Sequence, residues 1–598
     1  MKKFLVAAIV MSLTVFGQTG TDGSMLGTVA DSSGAVMPGA VVTVTNIETG
    51  ISKRAVTDSG GYFQVLALQR GLYSVTVQKT GFTTWQLQRI ELTAGENKRV
   101  SPVLQVGTAQ EEVTVVAGVD LVQTEQSGIA GAVEQTQIRE LPLNGRDSIQ
   151  MVALVPGMRY LGLGGNTDQR TVQGLGIRTD QTLFTVDGQD HNDPSTEGGM
   201  IIPNLDSVAQ FRVETSNFGA AGGRHPLQVK LITKNGTNNF HGTLFEFVRN
   251  DFFDAKNTFA SQRPKLRRNQ FGGSLGGPIR KDKTFFFASF EDARIRTETL
   301  FNSFAINPAL QAGNFGSTKI TDPSTNQPFP DNQIPAARFS SASKFFLPYL
   351  LQPNAPGDRF VAQAPIPDNG TNLFTRIDHQ ITSTHRIYGR WTRNAHELGT
   401  LGYRPDINIT TNLVQHSIGL SYDWTVTPRA VLSLGSEFSH STTYGNSPVV
   451  GKENLNQEAG LQGFPSSLME NTIGLPTVGI MGFSGFSYPE QVPSSFKREL
   501  FGEIASLNLI RNKHTIALGA EYSDRRTATH HASAAPRGSF TFNGQYTGNG
   551  FADYLLGDIF CWAMFSPYGG IFHWAVSAWR IRRAKLFTCR MTTEFCGT

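Results

Sequence analysis

The chain has 598 residues, with 52 basic against 48 acidic side chains, 62 glycines and 41 phenylalanines. It is too long for one ordinary domain, and its near-balanced charge, without a basic stripe interleaved with aromatics, excludes a nucleic-acid-binding protein. Cysteine occurs only at Cys561, Cys589 and Cys596, which excludes a disulfide framework, and past the N-terminus no run of 18 or more apolar residues offers a helical membrane span.

Met1 to Gly17 opens with Lys2-Lys3, continues in an apolar run from Phe4 to Phe16 and closes on small residues, with Val15 and Gly17 at the cleavage positions. Residues 1–17 are expected to be an export signal. Residues 18–108 carry short β-prone runs, Val42-Thr43-Val44, Tyr62-Phe63-Gln64-Val65 and Tyr73-Ser74-Val75-Thr76-Val77, divided by turns at Asp31–Gly34, Asp58–Gly61 and Gly71. This spacing predicts a small β-sandwich. Gly27-Thr28-Val29, Pro38-Gly39-Ala40, Thr57-Asp58, Gly60-Gly61-Tyr62-Phe63, Leu68, Tyr73 and Gly81-Phe82 resemble the carboxypeptidase regulatory-like domain. The resemblance implies an accessory module rather than a peptidase, and no paired zinc ligands occur in the stretch. Whether such a module binds carbohydrate, peptidoglycan or nothing stays open.

Residues 109–118 hold the run Glu111-Glu112-Val113-Thr114-Val115-Val116-Ala117 between Gly107 and Gly118. Two readings fit: a last sandwich strand or linker, or a segment that adds to the edge of a partner's sheet through backbone hydrogen bonds. Glu112, Val113, Thr114, Val115 and Val116 resemble the TonB box of energy-coupled outer-membrane receptors, which implies TonB, of the inner-membrane coupling complex, as partner.

Residues 119–237 carry Leu141-Pro142-Leu143-Asn144-Gly145-Arg146, Leu154-Val155-Pro156-Gly157, Val186-Asp187-Gly188, Asn192-Asp193, Val208-Ala209-Gln210-Phe211 and Thr233-Lys234-Asn235-Gly236-Thr237-Asn238. With Phe240-His241-Gly242, Phe245–Asn250 and Arg267–Pro278 they resemble the plug and first barrel strands of TonB-dependent receptors of the Oar-like group, which carry a regulatory-like domain in front. The resemblance implies an α+β plug with Leu141, Pro142, Asn144, Gly145, Arg146, Asp187 and Gly188 as motif positions. Asp187-Gly188 also reads as a tight turn on its own residues. His225-Pro226-Leu227 departs from the group's small residues, and Pro226 puts the pairing there in question because it cannot donate to a ladder. Asp190-His191-Asn192-Asp193 is rich in hard and imidazole donors, but Pro194 closes it as a polar turn and no metal is assigned. His530-His531 is read likewise. No nucleophile elbow or zinc helix occurs, so no catalytic residue, no cofactor and no enzyme activity are assigned.

Residues 238–559 alternate apolar and polar positions with period two. In Val414 to Trp424, Val414, Ile418, Leu420, Tyr422 and Trp424 share one face, and Gln415, Ser417, Gly419, Ser421 and Asp423 the other. Arg376 and Asp378 fall on the polar face of their own run. Tight connections near Arg280–Lys283, Thr382–Thr384, Thr425–Pro428 and Arg511–Lys513 alternate with long ones at Asp251–Leu266, Thr297–Gly370, Ala395–Thr411 and Thr442–Arg498. This predicts an incomplete antiparallel transmembrane β-barrel of about ten strands, the last near 538–546, with short turns in the periplasm and long loops outside.

From residue 560 the pattern changes. All three cysteines, three of six tryptophans (Trp562, Trp574, Trp579) and the basic run Arg580, Arg582, Arg583, Lys585 and Arg590 fall there. Residues 560–598 are expected to be an aberrant, out-of-frame tail, with a native basic amphipathic tail as the alternative. The fold class is thus mainly β: a β-sandwich, an α+β plug and a partial barrel. The function expected from the resemblance is uptake of a bulky external ligand, carbohydrate or peptide, through an outer membrane whose lipid surrounds the barrel, with the N-terminal domains periplasmic. A barrel-anchored adhesion protein or a non-functional fragment are the alternatives.

Overall fold

The computed structural model describes residues 22–563 except for 108–111, 117–128, 142, 164–169, 175, 217–224, 257, 259–262, 264, 405, 448–449, 462–472, 489–491, 512–513 and 532–536. The expected export signal, Pro142, and the tail beyond 563 lie outside the described residues.

The N-terminal unit is a sandwich of β1 (Gly23–Thr28), β2 (Val41–Asn46), β3 (Ser52–Val56), β4 (Tyr62–Leu68), β5 (Gly71–Gln78), β6 (Thr84–Leu92), β7 (Asn97–Arg99) and β8 (Glu112–Val116). One sheet has the order β4-β1-β7 and the other β8-β6-β5-β2-β3. The alternation in β2 sends Val42 and Val44 inward, where Phe63, Val75 and Val77 meet them in a dry core. Gly61 turns the β3–β4 connection at φ +71°, and a Cβ there would meet the Val29 carbonyl at 2.7 Å. The expected boundary at residue 108 shifts, because β8 belongs to the sandwich sheet: it runs parallel to β6, from Glu112 opposite Thr84 to Val116 opposite Gln88.

The second unit, the inner domain, is built on β9 (Ile129–Glu134), β10 (Thr182–Val186), β11 (Val208–Ser216) and β12 (Leu227–Thr233), in the order β9-β11-β12-β10 with the short strand Gln189–Asp190 at the far edge. Phe184, Phe211, Val229 and Leu231 fill its core. Pro226 stands just ahead of the first ladder residue, Leu227, so its missing N–H costs no pairing.

The third unit is a sheet of β13 (His241–Asn250), β14 (Leu266–Arg280), β15 (Thr284–Phe304), β16 (Arg359–Thr382), β17 (His385–Leu401), β18 (Asn408–Thr427), β19 (Ala430–Asn446), β20 (Ser494–Arg511) and β21 (His514–His531), antiparallel and in chain order. Its faces are those expected: Ile418 and Leu420 are 47% and 51% exposed on the outside, and Gln415 and Ser417 are 2% and 0% exposed on the inside. Among the described residues β13 and β21 are the two edges and do not pair, so the wall is open.

Two expectations fail. Among the described residues the wall has nine strands, not about ten. Ser539–Phe542 pairs parallel with Thr477–Ile480 in a separate small sheet; Phe540 and Phe542 alternate like a wall strand, but four residues are too few to cross a bilayer. Nor is Ala395–Thr411 a long loop, since β17 and β18 stay paired to Leu401 opposite Asn408. Its glycines and threonines hid a ladder that runs past the lipid.

The long connections are not bare loops either. The described residues within 305–358, 447–493 and 537–563 fold together into a cap over the long-loop end, with Ile306, Phe346, Leu475, Phe486, Phe540 and Tyr554 buried in one core. The helix Gly550–Leu556 has every residue buried there, capped by the Asn549 side chain.

Candidate functional site

The inner domain lies against the polar face of the wall, and charged side chains dominate the contact. Asp187 and Gly188 have φ of +51° and +83°, the two left-handed positions of a tight hairpin turn between β10 and Gln189–Asp190. That turn points one acid at the wall. Asp187 is held from behind, its carboxylate accepting from the Thr233 N–H at 2.8 Å and the Thr233 hydroxyl at 2.7 Å. From the wall, Arg376 approaches Asp187 at 3.3 Å while also gripping Asp378, and Arg390 Nε stands 3.4 Å away.

Arg390 is the hub. Its side chain is fully buried and donates to the Val186 carbonyl at 3.1 Å, Gln189 Oε1 at 2.7 Å, Glu437 at 2.7 Å and Ser417 Oγ at 3.2 Å. It also donates to His191 Nε2 at 3.2 Å. A guanidinium only donates, so that nitrogen is unprotonated and the imidazole is neutral with its proton on Nδ1. Burial, reinforced by the Arg390 charge, holds His191 well below the usual imidazole range. Gln189 Nε2 in turn donates to the Leu420 and Ser436 carbonyls of the wall.

Two more arginines complete the clamp. Arg498 reaches Asp193 at 3.2 Å, and Arg525 bonds both Asp190 and Glu197. The Asp190-His191-Asn192-Asp193 segment, read from sequence as a polar turn, is almost completely buried. Its acids meet arginines from β20 and β21, and its asparagine braces β10 by donating to the Thr182 carbonyl and accepting from the Phe184 N–H. Of the clamp's wall side only Arg376 was singled out in the sequence; Arg390, Arg498 and Arg525 carried no signal beyond an inward position in an alternating strand.

The other motif positions lie elsewhere on the inner domain. Asn144 accepts from Arg268 at 2.8 Å, the Gly145 carbonyl accepts from Gln270, and Arg146 bonds Asp206 at 2.5 Å and approaches Glu291 at 3.4 Å while stacking over Phe245. Asn144, Arg146, Tyr160, Asn372, Asn394 and His396 face a cavity of about 280 Å³ between the inner domain and the wall.

A second cavity, about 880 Å³, opens at the tight-turn end and is bounded by all three units, with Ser24, Tyr62 and Gln64 from the sandwich, Gln189 from the inner domain, and Arg386 and Asp423 from the wall. The sandwich is fastened beneath it. Arg386 bonds Asp22 at 2.8 Å and Asp423 at 2.5 Å, Lys53 reaches the Thr425 hydroxyl, and the Glu48 carbonyl accepts from the Asn238 N–H at 2.9 Å. Burial beside Arg386 pushes the Lys53 amine down to about 8. Glu112–Val116 is not at either cavity; it lies on the outer edge of the sandwich. Among the described residues no group of three or more His, Cys, Asp or Glu side chains is arranged to hold a metal.

Residues 232–578, more than half of the chain, match the family described as outer membrane beta barrel domain. The chain belongs to the outer membrane β-barrel family. Residues 24–105 match the carboxypeptidase regulatory-like domain, which assigns the sandwich. The barrel match continues past residue 559, where the aberrant tail was expected to begin. Among curated proteins, the TonB-dependent transporter Oar of Myxococcus xanthus is 25% identical over 300 residues, covering 48% of this chain and 28% of that protein. The outer membrane transporter YddB from Escherichia coli is 9% identical, with a TM-score of 0.45 over 69% of this chain and 50% of its own. The siderophore receptor PirA from Acinetobacter baumannii is 12% identical, with a TM-score of 0.38 over 67% and 48%. The chain spans about half of these solved structures and less than a third of Oar.

Proposed function

We propose that this outer membrane β-barrel protein is a TonB-dependent receptor and transporter, in which the inner domain is the plug. A bulky carbohydrate or peptide binds at the long-loop end. Glu112–Val116 couples to TonB, and the pull dislodges the plug from the wall. The observation that carries this reading is the clamp around Asp187–Glu197. Its contacts are ionic and hydrogen-bonded rather than apolar, so each side chain released can be rehydrated as the domain shifts, whereas a permanent interface would bury aliphatic surface. Resemblance of Leu141, Asn144, Gly145 and Arg146 to the plug motif supports it, as does the position of Asn144, Gly145 and Arg146 at the 280 Å³ cavity.

The test is uptake of fluorescent oligosaccharides and peptides by cells expressing the protein, compared with Val113→Pro. Loss of uptake with retained surface binding supports energised transport. Binding without uptake in either protein sinks it and leaves an adhesion protein anchored by its barrel, a reading the packed cap would serve as contact surface.

A further inference from the structure

The 880 Å³ cavity lies at the opposite end of the wall from the cap, and the sandwich supplies one side of it. Strands β1 and β4 send Met25, Phe63 and Val65 into the sandwich core, which puts Ser24, Tyr62 and Gln64 on the opposite face. Asn97 of β7 pairs beside Ser24 and shares that face. Ser24 Oγ donates to Asn97 Oδ1 at 2.6 Å, and the Tyr62 hydroxyl donates to Gln64 Oε1 at 3.3 Å. Each amide thus has its carbonyl engaged, and among the described residues neither NH₂ group has a partner. Gln64 is only 8% exposed, so its remaining donor opens on the cavity rather than on bulk water. From the wall, Ser421 adds a hydroxyl.

The charged groups around the cavity are already committed. Arg386 bridges Asp22 and Asp423, and Asp187 is held by Thr233 and Arg376. The Asp58 carboxylate accepts from the Gly60 and Tyr62 N–H groups of its own turn. Arg99, the remaining charged residue of the lining, is exposed to solvent. A charged ligand would be buried here without a counterion, at high cost, whereas a ligand rich in hydroxyls offers acceptors to the two amides. The volume suits about two or three sugar rings. Tyr62 supplies an aromatic surface for the C–H face of a pyranose, next to amides that can bond its hydroxyl edge. We infer that this cavity is a binding site for a short neutral oligosaccharide, held between the regulatory-like domain and the wall. The site is separate from the long-loop end and goes beyond the transport reading, because it gives the sandwich a ligand of its own. Such a glycan reaches it either through the barrel or from the periplasm.

The test is isothermal titration of the detergent-solubilised full chain, with both ends open to solvent. The probes are maltotriose, cellotriose and the trimer of N-acetylglucosamine, with trigalacturonate as the charged control. At least one neutral trisaccharide is expected to bind, with affinity falling about tenfold or more in Tyr62→Ala and in Gln64→Ala, and retained in Tyr62→Trp. Ser421→Trp, which fills the cavity from the wall side, should abolish binding while heat-modifiable migration shows the wall intact. Binding of none of the three overturns the inference. So does tighter binding of trigalacturonate, or an affinity that survives both Tyr62→Ala and Ser421→Trp, which would place the sugar elsewhere on the chain. Preference for the N-acetylglucosamine trimer identifies a periplasmic glycan strand as the source, and preference for a glucose trimer an imported one; both support the site. Because the readout is binding rather than uptake, failure here leaves the transport reading standing.

Discussion

Gly419 of the wall and Gln189 of the inner domain meet without room for a side chain between them: a Cβ on Gly419 would stand 2.5 Å from Gln189 Oε1 and 2.8 Å from the Arg390 guanidinium. Gly419→Val is expected to weaken seating of the inner domain by about 1–3 kcal/mol, the usual cost of forced overpacking. Limited proteolysis checks this. Cleavage within 129–233 should accelerate while the wall keeps its heat-modifiable migration on gels.

Arg390 neutralises Glu437 and faces Asp187 in a site closed to water. Arg390→Leu leaves two buried acids short of their cation, at a cost of about 3–5 kcal/mol. Adding Glu437→Gln should recover part of the loss, because one uncompensated charge disappears. A double-mutant cycle on thermal unfolding of the inner domain measures it, and strict additivity would contradict the hub role.

His191 is neutral and buried, and its affinity for a proton is lower in the seated state than in the released one. The released state therefore binds more protons on acidification, and stability falls as pH drops below the unperturbed imidazole value of about 6.5. Above that value the contribution is complete. His191→Gln should flatten the dependence of seating between pH 7 and 5, read by protease sensitivity; an unchanged slope would assign it to other groups.

Arg386 ties the sandwich to the wall by bonding Asp22 and Asp423 together. Arg386→Ala should free the sandwich, raising protease cleavage at 107–118 several-fold without altering the fold of either unit. Crosslinking between sandwich and wall should fall in parallel.

Much of the wall was legible because period-two alternation and tight-turn signals are local. The turns near Lys281–Lys283 and Thr384 and the inward placement of Arg376 and Asp378 follow from neighbouring residues alone. The cap was not legible. Its core joins Phe346, Phe486 and Phe540 from segments nearly two hundred residues apart; the first two alone read as polar loops rich in Pro, Asn and Ser, and the third as a last wall strand. The clamp was half legible. Asp187-Gly188 announces a turn, but nothing local says that Asp190 and Asp193 face Arg525 and Arg498 from strands three hundred residues later.

The bond from the Ser343 hydroxyl to the Tyr554 carbonyl joins residues 211 positions apart, with six wall strands running out and back between them. Its two ends come together only after β16 to β21 have been laid down, because every intervening hairpin must deliver the chain back to the same side. Closure of the cap is therefore a late event in biogenesis, and it can serve as a clock. A conformation-specific antibody to the cap, or a disulfide placed across it, would appear only on molecules whose wall is already threaded through β21, distinguishing finished from half-inserted chains at the cell surface.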